Sequence, residues 1–250
     1  MPGTEQWRTL LSLGEMEVIG RMPNSSNATL LVRVTHEDAE TRAIYKPGKG
    51  ERPLWDFPPG LYRREVAAYE LSRALGWDQV PCTVLRDGPH DEGSVQLFVD
   101  FDPQQHYFTI HEEREDLHDE LRRMAVFDII ANNTDRKGGH VLLGTDGCVW
   151  GIDHGVCFSD DFKLRTVIWE FAGEEIGAEI IGAVEPLAQR IPAEVAEMLN
   201  DSEIDAMYER IEWVLEITGR GDLLAVDANG RLDLDAALAY ARAMEPYGLC

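Results

Sequence analysis

The chain has 250 residues, 44% hydrophobic and 28% charged, which suits one compact unit or two small lobes with a full core. Its 23 Lys+Arg against 46 Asp+Glu leave a net charge of −23, a field that repels nucleic-acid phosphates and anionic lipid headgroups and so disfavours both as partners. No apolar run approaches the roughly 20 residues that cross a bilayer, and the first residues lack a basic-then-apolar leader pattern. Four scattered cysteines (Cys82, Cys148, Cys157, Cys250) form no CxxC pair, so the expected setting is the reducing cytoplasm.

In chain order, residues 14–20 alternate as a short strand. Pro23-Asn24-Ser25-Ser26-Asn27 then reads as a turn, and 28–34 as a second strand completing a hairpin. Residues 42–46 form a third strand, stopped by Pro47-Gly48, and a Pro/Gly-rich loop runs to Gly60. Apolar positions Val66, Ala67, Tyr69, Leu71 and Leu75, with Gly76 as a stop, predict a helix over 63–75. Strands follow at 80–85 and 95–99 around Asp87-Gly88-Pro89.

A helix over 117–130 ends at Asn132-Asn133. Residues 141–143 and 149–152 flank the hairpin signal Thr145-Asp146-Gly147. Helices are expected at 192–199, 202–218 and 234–244, with Ser202 and Asp205 as a capping-box variant. The pattern predicts an α+β, two-lobed molecule: a β-rich lobe over 1–102, an α-rich lobe over 103–250, and a cleft between them.

The chemistry concentrates in two segments. The first is the loop Asn132-Asn133-Thr134-Asp135-Arg136-Lys137-Gly138-Gly139-His140, which places an acid, two cations and an imidazole within six residues. The second is Ile152-Asp153-His154-Gly155, an acid directly after an apolar strand. Two carboxylates presented in this way suit nucleotide phosphoryl transfer, one orienting or deprotonating a hydroxyl and the other holding Mg²⁺ against phosphates. The plainer alternative is that Asn133, Asp135 and Arg136 cap the helix and pair at the surface. Lys46 ends a strand and offers positive charge, Glu65 stands ready to pair with it, and the Ser25-Ser26-Asn27 turn offers backbone N–H groups and hydroxyls to phosphate. That turn lacks the GxxxxGK[ST] pattern and is not a Walker loop.

The ordered set Ile44-Tyr45-Lys46-Pro47, Gly93 to Val99, Phe127 to Arg136 and Ile152 to Phe158 resembles the phosphatidylinositol 3/4-kinase superfamily. It is most similar to the type II phosphatidylinositol 4-kinases and their bacterial relatives, and more distantly to HipA-type kinases. The resemblance covers about residues 45 to 160 and implies a protein-kinase-like fold that binds ATP with Mg²⁺ or Mn²⁺. It implies that Lys46 contacts the ATP phosphates with Glu65 as its partner, and that Gln96, Leu97, Phe98 and Val99 form an adenine-reading hinge. It further implies that Ser25, Ser26 and Asn27 cover the phosphates, that Asp135 with its neighbour Arg136 forms the catalytic loop, and that Asp153 binds metal.

Where the family places a metal-binding asparagine, five positions after the catalytic aspartate, this chain has His140. Imidazole suits Mn²⁺ better than Mg²⁺. One-metal catalysis, a preference for Mn²⁺, and an impaired nucleotide-binding pseudokinase all remain open, as does transfer of AMP in place of phosphate. The acidic surface and the absence of an anchoring cysteine cluster favour a protein or small-molecule hydroxyl over a membrane lipid as acceptor. The whole reading requires Lys46, Asp135 and Asp153 to converge on one pocket.

Overall fold

The computed structural model describes residues 4–23 and 27–216. The expected turn residues Ser25 and Ser26 and the expected helix at 234–244 lie outside them. The molecule is α+β, with a β-sheet N-terminal region and a helical C-terminal region.

A helix that the sequence reading did not anticipate, α1 (Thr4–Leu13), opens the chain and tucks Leu10 and Leu11 into the core. Strands β1 (Glu15–Arg21), β2 (Leu30–His36) and β3 (Ala39–Pro47) follow. After them come helix α2 (Leu61–Ala74) and strands β4 (Thr83–Gly88) and β5 (Asp91–Leu97). The five strands make one antiparallel sheet in the order β1-β2-β3-β5-β4.

The two-residue side-chain period of a strand sorts β3 cleanly. Ala43 and Tyr45 are fully buried on the core face, whereas Ile44 and Lys46 turn the other way, into the cleft. Helix α2 lies between the sheet and the C-terminal helices, so it is covered almost all round, from Leu61 and Arg64 to Ser72.

A second sheet, in the order β6-β7-β8, follows at once: β6 (Phe101–His106), β7 (Val141–Gly144) and β8 (Val149–Gly151). The boundary expected between the two lobes, at 102/103, therefore falls inside a strand. That strand was hidden because β6 pairs with β7 only near its ends, Phe101 with Gly144 and His106 with Leu142, and carries Pro103 in the irregular stretch between. Helices α3 (Tyr107–Glu113) and α4 (His118–Ile130) separate β6 from β7. Helices α5 (Ala178–Gln189), α6 (Ala193–Ala196) and α7 (Asp201–Glu216) complete the described chain.

The start of α7 differs from expectation. Asn200 Oδ1 accepts the Glu203 N–H and Glu203 Oε2 accepts the Asn200 N–H, each at 3.0 Å, so the reciprocal cap is Asn200/Glu203 and not Ser202/Asp205. The main core runs from Val32 and Val34 of the first sheet through α2 and α4 to Met207 and Ile211 of α7, so the two regions share one apolar interior. Among the described residues no helix is long and apolar enough to cross a membrane.

Candidate active site

A cavity of about 420 Å³ opens between the five-stranded sheet and the helical region. Its walls include Lys46 from β3, Glu65 from α2, and Gln96, Leu97, Phe98 and Val99 from the end of β5. Asp135, Lys137 and His140 come from the loop after α4, Asp153 and Gly155 from the loop after β8, and Asn27 from the β1–β2 turn. The three side chains that the sequence reading required to converge thus line one pocket, of a size usual for small-molecule sites.

Lys46 is the hub. Its ammonium donates to Glu65 Oε1 and, at 2.8 Å, to Asp153 Oδ1. Burial works against its charge, but Glu65 and Asp153 outweigh that and hold its pKa above the ordinary lysine value. The Lys46 charge in turn depresses Asp153 well below the usual carboxylate range. Glu65 spends its second oxygen on the His154 N–H, at 3.1 Å, which ties α2 to the Asp153 segment. Gly155 packs closely here: a Cβ on it would stand 3.2 Å from Glu65 Oε1, so the carboxylate would have to give by a few tenths of an ångström. Asp153 has φ of +63°, a left-handed backbone that a non-glycine residue holds only when its surroundings fix it.

Asp135 is held less tightly. Arg165 Nη2 donates to its Oδ1 at 2.9 Å, Lys137 Nζ to its Oδ2 at 2.6 Å, and its own N–H donates to Asn133 Oδ1. Its side chain stays 26% exposed, and Lys137 and Arg165 are more open still.

Arg136 departs from the sequence expectation. It does not line the cavity; its side chain is fully buried and grips Asp128, with Nε at 3.0 Å from Oδ2 and Nη2 at 2.8 Å from Oδ1. It also donates to the carbonyls of His140 and Ile152 and to His154 Nε2. Asp128 accepts Asn133 and Thr166 as well. Arg136 therefore joins α4, the loop at 132–140 and the Asp153 segment from behind. Burial and the Arg136 charge keep His154, itself fully buried, neutral far below the ordinary histidine pKa.

The segment expected to form the hinge is partly committed. Leu97 N–H bonds Cys82 O, Phe98 N–H bonds Arg42 O, and the Gln96 amide reaches Thr83. Of the four, Val99 is the residue whose N–H has no partner among the described residues. Asn27 Oδ1 accepts the Arg52 N–H, which folds the turn onto the loop after β3.

Sequence reasoning missed three contributors. Glu51, on the cavity wall, accepts the N–H groups of Gly60 (2.9 Å) and Tyr62 (2.7 Å) at the start of α2. Nothing local marks it. Lys137 had been seen only as a neighbour of Asp135, and Arg165 lies 30 residues away with no motif. The signal for the Arg136 partner was present: Asp128 sits in the apolar run Val126-Phe127-Asp128-Ile129-Ile130, where a buried acid demands a cation.

His140 Nε2 stands 3.5 Å from Asp153 Oδ2, and burial keeps the imidazole below its ordinary pKa, available as a neutral ligand. Its Nδ1 is buried without a hydrogen-bond partner. Among the described residues no three His, Cys, Asp or Glu side chains converge as a closed metal cage. One carboxylate and one imidazole fit a divalent cation whose other ligands are phosphate oxygens and water.

The sequence profile of the family described as phosphatidylinositol 3- and 4-kinase matches residues 85–199. A Mycobacterium tuberculosis protein known as Rv2133c is 41% identical over 246 residues, a match spanning 83% of this chain and 88% of that protein. The phosphatidylinositol 4-kinase gamma 4 of rice (Oryza sativa subsp. japonica) is 32% identical over 143 residues, which is 46% of this chain and 24% of the rice protein. Among solved structures, the Golgi casein kinase with Mn/ADP bound superposes with a TM-score of 0.56 at 13% identity, covering 85% of this chain and 74% of that one. Hydra Fam20 with sugar gives 0.58 at 11% identity, covering 86% and 89%. At such identities the structures share a fold with this chain.

Proposed function

This chain belongs to the phosphatidylinositol 3/4-kinase-like superfamily, and on that premise we propose that it is an ATP-dependent phosphotransferase acting on a hydroxyl of a protein or small molecule. The observation that carries this reading is the placement of Lys46, Glu65, Asp135 and Asp153 on the wall of one cavity. Residues 1–102 would supply the nucleotide-phosphate face and the hinge, and 103–250 the catalytic and metal-binding loops.

In this reading the Val99 N–H meets the adenine edge. Lys46, fixed by Glu65, neutralises the inner phosphates, and Asn27, with Ser25 and Ser26, covers the phosphate side. Asp135 orients the acceptor hydroxyl and accepts its proton as the new O–P bond forms and the bond from the γ-phosphorus to the β,γ-bridging oxygen breaks, releasing ADP, while Lys137 and Arg165 balance charge on the transferred group. Asp153 and His140 would hold Mg²⁺ or Mn²⁺, which when bound neutralises phosphate charge. Arg136 contributes from behind, by fixing the loop that presents Asp135. The acidic chain and its scattered thiols favour a cytoplasmic setting without a stable membrane anchor.

The test is incubation with γ-labelled ATP and candidate acceptors in Mg²⁺ and in Mn²⁺. Transfer that disappears in Asp135→Ala supports the assignment, and equal transfer in that variant defeats it. His140 at the usual asparagine position favours one second reading, a nucleotide-binding pseudokinase. ATP-dependent thermal stabilisation without transfer in either metal would select it. Label from α-labelled ATP alone would indicate AMP transfer.

A further inference from the structure

Arg64 and Glu65 are consecutive on α2, and both are buried, at 3% and 2% exposure. Consecutive helical residues point about 100° apart, so the two side chains leave α2 toward different parts of the molecule. Glu65 turns to the cleft, where it holds Lys46 and the His154 N–H. Arg64 turns to the C-terminal helices, where its Nη2 donates to Glu203 Oε1 in the first turn of α7.

The Arg64 guanidinium also faces the Phe57 ring at 5.5 Å. Glu203, 4% exposed, is immobilised by its reciprocal cap with Asn200. Adjacent residues of one helix therefore connect the nucleotide lysine to a helix some 140 residues downstream (|i−j| = 139 for the Arg64–Glu203 bond). Any rotation of α2 that swings Glu65 off Lys46 must also break a buried ion pair. Such a pair adds little net stability over apolar packing of the same shape, but it is strongly directional, and losing one partner strands a charge.

We infer that Arg64 and Glu203 are positioning residues for Lys46: their ion pair fixes the rotation of α2 that presents Glu65, and makes α7 a working part of the nucleotide site. The inference rests on the nucleotide-binding reading above. It also implies that α2 stays engaged without nucleotide and is not a helix that swings out to switch the site off.

The test titrates ATP with Mn²⁺ into the full chain, by calorimetry, for Glu203→Gln and Arg64→Lys, each alone and combined with Glu65→Gln. Each single variant is expected to weaken ATP binding about tenfold, within the range seen for directly coupled residues. In the Glu65→Gln background neither change should weaken it further, because the path through Glu65 is already cut. Additive losses in that background would mark a merely structural role and overturn the inference, as would unchanged ATP affinity in a folded Glu203→Gln chain. Should Glu203→Gln fail to fold, the charge-preserving Arg64→Lys decides by the same criteria. A wild-type chain that binds no ATP overturns the phosphotransferase reading itself, whereas wild-type binding with unaffected variants overturns only the role of the pair.

Discussion

Two aspartates seven positions apart, Asp128 and Asp135, each meet cations, and burial separates their roles. Asp128 and Arg136 are sealed at 0% exposure, with every contact made inside the protein. Asp135 faces the cleft, 26% exposed, between Lys137 and Arg165 at its rim. In the sealed pair, charge is too costly to leave unmatched and so acts as architecture. In the open group, water shares the load and the carboxylate stays free to exchange partners, as the proton-accepting role proposed for it requires. Adjacent residues, Asp135 and Arg136, thus fall on opposite sides of this divide.

The sharpest way to break the comparison is Arg136→Met, which strands Asp128 in the interior. Stability should fall by about 3–5 kcal/mol, a drop of roughly 10 °C in Tm for a chain of this size. Adding Asp128→Leu should restore much of it, and a Tm unaffected by Arg136→Met would contradict the sealed half of the contrast. Lys46→Ala sits between the extremes, because Glu65 is buried while Asp153 is open. We expect about 1–3 kcal/mol of destabilisation in urea titrations, and loss of ATP-dependent stabilisation in a thermal scan.

The Tyr107 phenol, buried and bonded to Glu170, sharpens the same point from the alkaline side. Burial raises its pKa above the ordinary 10. The stability that follows is intact below pH 10 and is lost as pH rises past it, at up to about 1.4 kcal/mol per pH unit. Tyr107→Phe should flatten that decline in unfolding measured between pH 9 and 11, and an identical slope would remove the claim. Asp135→Ala should change stability least, by under about 1 kcal/mol, while abolishing phosphate transfer. A large Tm shift in that variant would show that the open group is architectural after all.

Much of the fold was legible because the β-hairpins and α2 follow their periodicities and stop signals closely. What escaped broke a local rule that tertiary contacts override. Helix α5 carries Gly182 and Pro186, which normally argue against a helix, yet Ile180, Val184 and Leu187 bury one face of it. Strand β6 lacks alternation and contains Pro103. At the site, Lys46, Asp135 and Asp153 were legible because each sits at the end of an apolar element, where a charged residue must face a cleft or solvent. The inward turn of Arg136 was not, because adjacency in a loop says nothing about which way a side chain points. Its partner Asp128 was the readable clue.

Glu51 carries a consequence for how phosphate is received. An open helix start is an electropositive socket, where backbone N–H groups can grip an anion. At α2 that socket is already plugged by the protein's own carboxylate, bonded to Gly60 and Tyr62. A nucleotide entering here finds no vacant ring of amides at that helix and meets a fixed negative charge on the wall. On the phosphotransferase reading, triphosphate capture would therefore rest on side-chain cations, Lys46 first with Lys137 and Arg165 toward the rim, on the turn at Asn27 and on whatever cation arrives with the ligand, rather than on a bare helix end.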